Sequence, residues 1–396
     1  VNLGPRSKVL VVGGSAAGIS AADTLRVEGV TGEITVVGTE QHLAYARPPL
    51  SKAMLVGTET PESIALLALD ADISVRRGTT AVALDLAAGL LSVDSDGARE
   101  SLPFDGIVLA TGSRARRLAE RGQRGEHVLR TLDDAHRLAS SFSCAKTVAI
   151  LGGGFLGMEL ASSARALGLD VTVVDISPPL LRQLGPDLAD LIVGRAREAG
   201  VRFLISPAGA ELTGDREIGG IGLADGRLVE ADVVITAVGD VPNVEWLAGS
   251  GLPADGPLEV GAGGFCRPGV VAAGDITGTR DLATGRLRRT PHWHSAISQG
   301  RSAARTLLHG APQTQEFETA YFWTEGFGLD IKITGEIPSG IAPLVIEGSL
   351  PDRCAVLQWI VDGQPRAAAS INHRLSLVRL KRLARIDPAR TSEVTA

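Results

Sequence analysis

The sequence predicts an α/β protein: two copies of one strand–turn–helix–strand unit, then a smaller α+β region. Three observations lead there. A glycine-rich turn occurs twice, as VVGGSAAGISAA from Val11 and as ILGGGFLGMELA from Ile150. Each copy follows a short apolar run and precedes helical spacing and a second apolar run, the order of a βαβ unit. Beyond residue 313 the pattern changes to alternating runs such as LDIKITG and CAVLQWIV, which suit a small antiparallel sheet.

In chain order, residues 8–12 form the first strand, 16–26 its helix and 33–37 the next strand. FDGIVLATGS (104–113) reads as a buried strand and a turn. The order repeats at 147–151, 155–167 and 171–174, and ADVVITAVGDVPN (231–243) closes the second unit. GVVAAGDI (269–276) is a further strand ending in Gly-Asp, and 293–308 is helical. A closing helix is expected near 374–385, with a frayed tail after Ile386.

The 396 residues hold two or three domains, and a net charge of −6 excludes a dedicated nucleic-acid binder. No segment approaches the roughly 18 consecutive apolar residues of a membrane span. The N-terminal apolar run leads straight into a glycine turn, so it is expected to be a strand and not a signal peptide, with a cytoplasmic location. Cys144, Cys266 and Cys354 are too few and too scattered for a disulfide framework or a four-ligand zinc site. They read as buried or inert thiols, and no metal is expected.

Each glycine turn fits a dinucleotide fingerprint. The first small residue makes the tight turn, the second admits the pyrophosphate, and the third lets helix and strand approach. Gly152, Gly154 and Gly157 fit fully; in the first copy Gly13 and Gly18 fit, and Ser15 takes the middle position. The residues opening each helix, Ala16 and Ala17 in one and Phe155 and Leu156 in the other, offer backbone N–H groups to phosphate. Glu40 and Asp175 stand at the offset of about 20 residues expected of a carboxylate on a ribose 2′-hydroxyl. These features predict two Rossmann-like dinucleotide-binding domains and a small C-terminal α+β domain.

Here the chain resembles the FAD-dependent pyridine-nucleotide oxidoreductases, specifically the ferredoxin reductases of oxygenase and cytochrome P450 systems. YARPPLSK (45–52) is the most specific element. LATGSRARRL, GGGFLGMEL, AVGDVPN, AAGDI, HWHSAISQG, FWTEGFGLDIKITGEIP and INHRLSLVRLKRL carry the likeness nearly from end to end. The resemblance implies a glutathione-reductase-like fold. It implies an FAD domain of residues 1–113 and 240–312, an NADH domain of 114–239 and a C-terminal domain of 313–396. By the same resemblance Gly13, Ser15, Gly18, Glu40, Arg47 and Lys52 surround FAD. So do Ala110, Thr111, Gly112, Gly274, Asp275, His292 and Trp293, while Gly239 joins the second turn around NADH. Lys52 and Glu159 would meet as a catalytic charge pair beside the flavin N5. Ser15, Ala44, Pro291 and the Gly326–Phe327 pair depart from the family pattern.

Two dinucleotides imply hydride transfer from a nicotinamide to a flavin. HLAYARPPLSKAML holds no cysteine, so electrons are expected to leave the flavin directly, one at a time, to a 2Fe–2S ferredoxin serving an oxygenase or cytochrome P450. From Arg353 onward eight Lys/Arg stand against three Asp/Glu, which suits an acidic ferredoxin and equally a solvated helix face. The alternatives are a flavin-dependent NADH oxidase or reductase acting on a small molecule or oxygen, and a redox-responsive binding flavoprotein. The reading includes no membrane partner and allows a homodimer.

Overall fold

The run VLVV, Val9–Val12, is buried at every position. A strand buried on both faces needs a layer on each side. In a computed structural model, which describes residues 3–281, 284–310 and 320–385, it receives them. Val9 and Val11 face the helices Ala16–Val27 and Trp293–His309, through Ala21, Leu25, Ala303 and Leu307. Leu10 and Val12 face the opposite way, towards Leu84, Leu91 and Val93 of an antiparallel three-stranded sheet.

The chain forms two compact units. The first comprises Val1–Ala46, Pro61–Arg114 and Asp240–Glu318. Its central sheet runs in the order Phe265–Arg267, Val270–Ala272, Gly106–Leu109, Val9–Val12, Ile34–Val37 and Ser74–Arg76. All pairs are parallel except the outer one at Phe265–Arg267. The register sets Val9 against Ile34 on one side and Gly106 on the other, so these strands end level and their glycine turns share one edge.

The second unit comprises Arg47–Thr60, Ala115–Gly239 and Thr319–Ala396. A parallel sheet runs Arg202–Ile205, Asp170–Asp175, Thr147–Leu151, Val233–Thr236 and Glu126–His127. An antiparallel sheet runs Tyr321–Gly326, Leu329–Gly335, Gln364–Ile371, Cys354–Val361 and Leu344–Ser349. Leu380 and Ala384 of the C-terminal helical segment are buried against Ala368 of that sheet. Arg47–Thr60 packs within this second unit, where the buried Ser163 hydroxyl donates to the Ser51 carbonyl at 2.6 Å.

The two βαβ units and the C-terminal antiparallel sheet stand where the sequence predicts them. The strands 147–151, 329–335 and 354–361 match to the residue. The closing helix is shorter than expected, Leu377–Leu383, because the Ser376 side chain caps it by accepting from the Arg379 N–H. The tail after Ile386 lies outside the described residues. Two small antiparallel sheets were not anticipated: Thr79–Asp85 with Leu90–Ser95 and Ala98–Pro103, and Ala210–Thr213 with Gly220–Leu223 and Leu228–Glu230. Most of their residues are exposed or half-buried, which leaves little apolar signal.

The thiols differ from one another. Of the thiols expected to be buried or inert, Cys144 is not buried: it is exposed at the end of the helix Leu132–Cys144. Burial pushes the Cys266 thiol up to about 12, which keeps it protonated and inert. None of the three is in a disulfide.

His127 and His292 are both held below the ordinary histidine value of 6.5, chiefly by burial; Arg117 and Arg137 add to this at His127, and Asp275 opposes it at His292. The unfolded chain therefore binds more protons than the folded one below pH 6.5, and stability rises with pH through that window. A urea midpoint that falls from pH 7.5 to pH 5.5, and falls less in the His127→Asn/His292→Asn double variant, is the expected result.

Candidate dinucleotide sites

In the first unit the glycine turn is held by contacts that admit no side chain. A Cβ at Gly13, whose φ is +125°, would stand 2.0 Å from the Ala110 carbonyl oxygen. At Gly18 it would stand 1.8 Å from the Gly13 oxygen. These are the tight-turn and helix-packing roles predicted for them. The helix Ala16–Val27 starts at Ser15 with no side-chain cap bond and no acid in its first turn. That is the arrangement a pyrophosphate fits.

Four strand ends converge on this edge. Ala110, Thr111 and Gly112 follow the strand Gly106–Leu109, and Thr111 is tied down: its hydroxyl donates to the Asn243 carbonyl at 2.7 Å. The Asn243 amide donates in turn to the Thr111 carbonyl at 3.0 Å. Glu40 lies beyond Ile34–Val37 and accepts from the Tyr45 hydroxyl. Gly274 and Asp275 follow Val270–Ala272, and a Cβ at Gly274 would meet Ala17 at 2.9 Å. Gly300 lies so close that its Cβ would meet the Ala17 oxygen at 2.2 Å, which brings the two helices together. His292 is the N-cap of the second helix and Trp293 its first residue, so both stand at its N-terminal end. The Asp275 backbone is fixed by Arg289, which donates to its carbonyl at 2.6 Å while forming a two-pronged pair with Asp240. Asn243, Gln299, whose side-chain oxygen accepts from the Gly274 N–H at 2.8 Å, and Arg289 were not anticipated. AVGDVPN and HWHSAISQG contain the first two, but what they hold is visible only in three dimensions.

The second unit repeats the design. Gly152, with φ of +112°, would place a Cβ 2.4 Å from the Ala237 oxygen, and Gly157 would place one 1.9 Å from the Gly152 oxygen. A Cβ at Gly154 would meet only the end of the Gln183 side chain, at 3.8 Å, so the fold around this position does not itself demand a glycine. Phe155 and Leu156 open the helix Phe155–Ala166, which has no side-chain cap bond. Asp175 ends its strand and turns back to the glycine loop, accepting from the Gly153 N–H at 2.6 Å and the Ser177 N–H at 3.1 Å. Gly239, at φ of +101°, accepts at its carbonyl from the Arg116 N–H at 3.0 Å.

Lys52 and Glu159 meet. The lysine ammonium lies 2.9 Å from Glu159 Oε1, with the two side chains 17 % and 11 % exposed. Lys52 is placed by the 3₁₀ turn Pro48–Ser51, and its ammonium also donates to the Pro48 carbonyl at 3.3 Å. Glu159 sits in the second turn of the helix opened by the Gly154 loop. Arg47, from the same segment as Lys52, donates to the Arg130 carbonyl.

The family model described as "Pyridine nucleotide-disulphide oxidoreductase" matches residues 7–300, which contain both glycine turns. The chain belongs to that family. Among curated relatives of this oxidoreductase, the chlorobenzene dioxygenase ferredoxin reductase component of Cupriavidus sp. strain PS12 is 34 % identical over 97 % of this chain and 95 % of its own length. Rhodocoxin reductase of Rhodococcus erythropolis is 32 % identical over 86 % of this chain and 81 % of its own. Among solved structures, putidaredoxin reductase in its covalent complex with putidaredoxin aligns at a TM-score of 0.83 and 26 % identity, covering 96 % of this chain and 92 % of its own. The ferredoxin reductase for the CYP199A2 system of Rhodopseudomonas palustris aligns at 0.83 and 29 %, covering 93 % and 92 %. The resemblance drawn from the motifs and the predicted fold class agree with these comparisons. The family name includes disulphide, yet this oxidoreductase has no cysteine in Arg47–Thr60. Among the described residues no helix is long and apolar enough to cross a membrane, and no group of His, Cys, Asp and Glu could hold a metal ion.

Proposed function

We propose that this oxidoreductase is an NADH-dependent ferredoxin reductase: FAD on the Gly13 turn, NADH on the Gly152 turn, and a 2Fe–2S ferredoxin of an oxygenase or cytochrome P450 system as the acceptor. The observation that carries the reading is the pair of side-chain-free glycine cradles, each opening a helix with no side-chain cap. When bound, FAD supplies the conversion of a two-electron hydride into single electrons. The chain's own residues bind and orient. Gly13, Gly18, Gly152 and Gly157 let backbone approach phosphate. Glu40 and Asp175 offer carboxylates to ribose hydroxyls. The resemblance assigns the Lys52–Glu159 pair to the flavin N5, where a fixed ammonium and carboxylate would hold charge without bringing in water. By function we divide the chain into an FAD domain of residues 1–113 and 240–312, an NADH domain of 114–239 and a C-terminal domain of 313–396, and we place it in the cytoplasm. Anaerobic mixing with NADH, then with a panel of acceptors, tests the reading. Rapid bleaching of the flavin and turnover with a 2Fe–2S protein are expected, and fast oxygen consumption without one would favour the oxidase alternative.

Asp175 should set nucleotide choice. Its carboxylate repels a 2′-phosphate, and no arginine follows it until Arg182. NADH should exceed NADPH in kcat/KM by about tenfold or more, and Asp175→Asn should narrow the gap. Equal efficiency for both in the parent enzyme would contradict the assignment.

For the ferredoxin, the reading points to the face near Trp323 and residues 374–385. Part of its basic excess is already neutralised: Arg379 pairs with Glu347, and Arg353 with Glu198 at 3.1 Å. Arg382→Glu is therefore a cleaner test than a change at Arg379. Ferredoxin reduction by Arg382→Glu should slow and lose part of its salt dependence, with NADH-driven flavin reduction unchanged. No change in either reaction would place the docking face elsewhere.

A further inference from the structure

Glu159 has more partners than Lys52. Its Oε2 accepts from the Ser51 hydroxyl at 2.6 Å, and its Oε1, besides facing the ammonium, accepts from the Thr324 hydroxyl at 2.9 Å. The three donors come from two separate places: Ser51 and the adjoining Lys52 at the turn Pro48–Ser51, and Thr324 in the first strand of the C-terminal sheet. Ser51 is 4 % exposed and Thr324 8 %, so each hydroxyl must find a partner inside the protein. Ser51 has a second acceptor, the Pro48 carbonyl at 3.4 Å, but its single proton goes to the nearer, charged oxygen.

The strand that brings Thr324 is fastened to the same helix three residues further on. The Phe327 N–H donates to the Ser162 hydroxyl at 2.8 Å. Phe327 has a positive φ of 53°, and its carbonyl accepts from Arg195 at 3.2 and 3.3 Å. Gly326 allows this closeness: a Cβ there would stand 3.3 Å from the Ser162 Cβ. The Gly326–Phe327 departure from the family pattern is thus a seat for the hairpin against the helix that carries Glu159.

We infer that Ser51 and Thr324 are positioning residues for the hydride step, holding the Glu159 carboxylate in one orientation so that it fixes the Lys52 ammonium. The inference rests on the proposed function, in which that pair serves the flavin. A lysine has long rotamer freedom, and a carboxylate with one partner can swing with it. Two further donors on both oxygens remove that freedom before any ligand arrives.

The test compares Thr324→Val, Thr324→Ser and Ser51→Ala with the parent. In the FAD-loaded enzyme, losing one hydrogen bond to a charged group should slow NADH-driven flavin reduction by about tenfold in Thr324→Val, with the KM for NADH unmoved. Thr324→Ser, which keeps the hydroxyl, should stay within about twofold of the parent. The second readout needs neither cofactor nor turnover. Acetylation by a dilute amine-reactive reagent, followed at each lysine by mass spectrometry on the chain without FAD, should proceed about threefold faster or more at Lys52 in Thr324→Val and Ser51→Ala than in the parent or Thr324→Ser. Equal Lys52 labelling in parent and valine variant, or a serine variant as slow as the valine variant, would overturn the inference; Ser51→Ala decides it if Thr324→Val does not fold. A parent enzyme that NADH does not reduce would sink the proposed function instead, while the labelling would still report on the positioning.

Discussion

Lys52→Met is expected to slow NADH-driven flavin reduction by about a hundredfold and to lower the stability of the chain by about 3 kcal/mol. The ammonium is 2.9 Å from Glu159 in surroundings where the two side chains are 17 % and 11 % exposed. Removing it leaves a carboxylate in a mostly dry place, facing only the hydroxyls of Ser51 and Thr324. That cost exceeds the worth of an exposed ion pair, which is about 0–1 kcal/mol. Denaturant midpoints and stopped-flow reduction check the two halves separately. Adding Glu159→Gln to Lys52→Met should recover much of the stability, because the stranded charge is gone, and little of the rate. A single variant as stable as the parent would show that water reaches the pair freely.

The glycine cradles give the second large effect. Gly157→Ala would set a methyl group 1.9 Å from the Gly152 carbonyl oxygen, and Gly18→Ala one 1.8 Å from the Gly13 oxygen. Both obstacles are backbone, so the helix must retreat from its turn and take its phosphate-facing end with it. NADH affinity should drop by about a hundredfold in Gly157→Ala, with the ratio of FAD to protein kept. Gly18→Ala should show the reverse: a chain isolated largely without yellow colour. Calorimetric titration and the visible spectrum read the two outcomes. If Gly157→Ala lost FAD and kept NADH, the assignment of nucleotides to turns would be inverted.

What the sequence could show follows from how local each signal is. Strand, turn and helix lie side by side in the chain, and Gly18 and Gly157 are demanded by Gly13 and Gly152 of their own turns, so the two glycine turns are readable, although Gly13 and Gly152 answer to the distant Ala110 and Ala237 carbonyls. The antiparallel strands of 79–103 and 210–230 were not, because their stability comes from pairing and from one apolar face laid on a sheet formed elsewhere. Asp175 shows the same limit at a single residue. Its spacing from the glycines predicts a ribose acceptor, the role proposed above, but its bonds to Gly153 and Ser177, which shape the loop, depend on how the strand end meets the turn.

By itself the sequence determined the α/β class, the two dinucleotide turns with their acids, the antiparallel C-terminal sheet, and the absence of a cysteine from the Lys52 segment. Only the tertiary structure decided what surrounds the charge pair. Ser51 is 108 positions from Glu159 and Thr324 is 165, and neither hydroxyl has a spacing that marks it. Folding brings them to one carboxylate because each is buried, and a buried polar group takes whichever partner the packing delivers. The same packing gave Gly326 its reason, by seating a hairpin on Ser162, and it paired part of the C-terminal basic charge with Glu347 and Glu198.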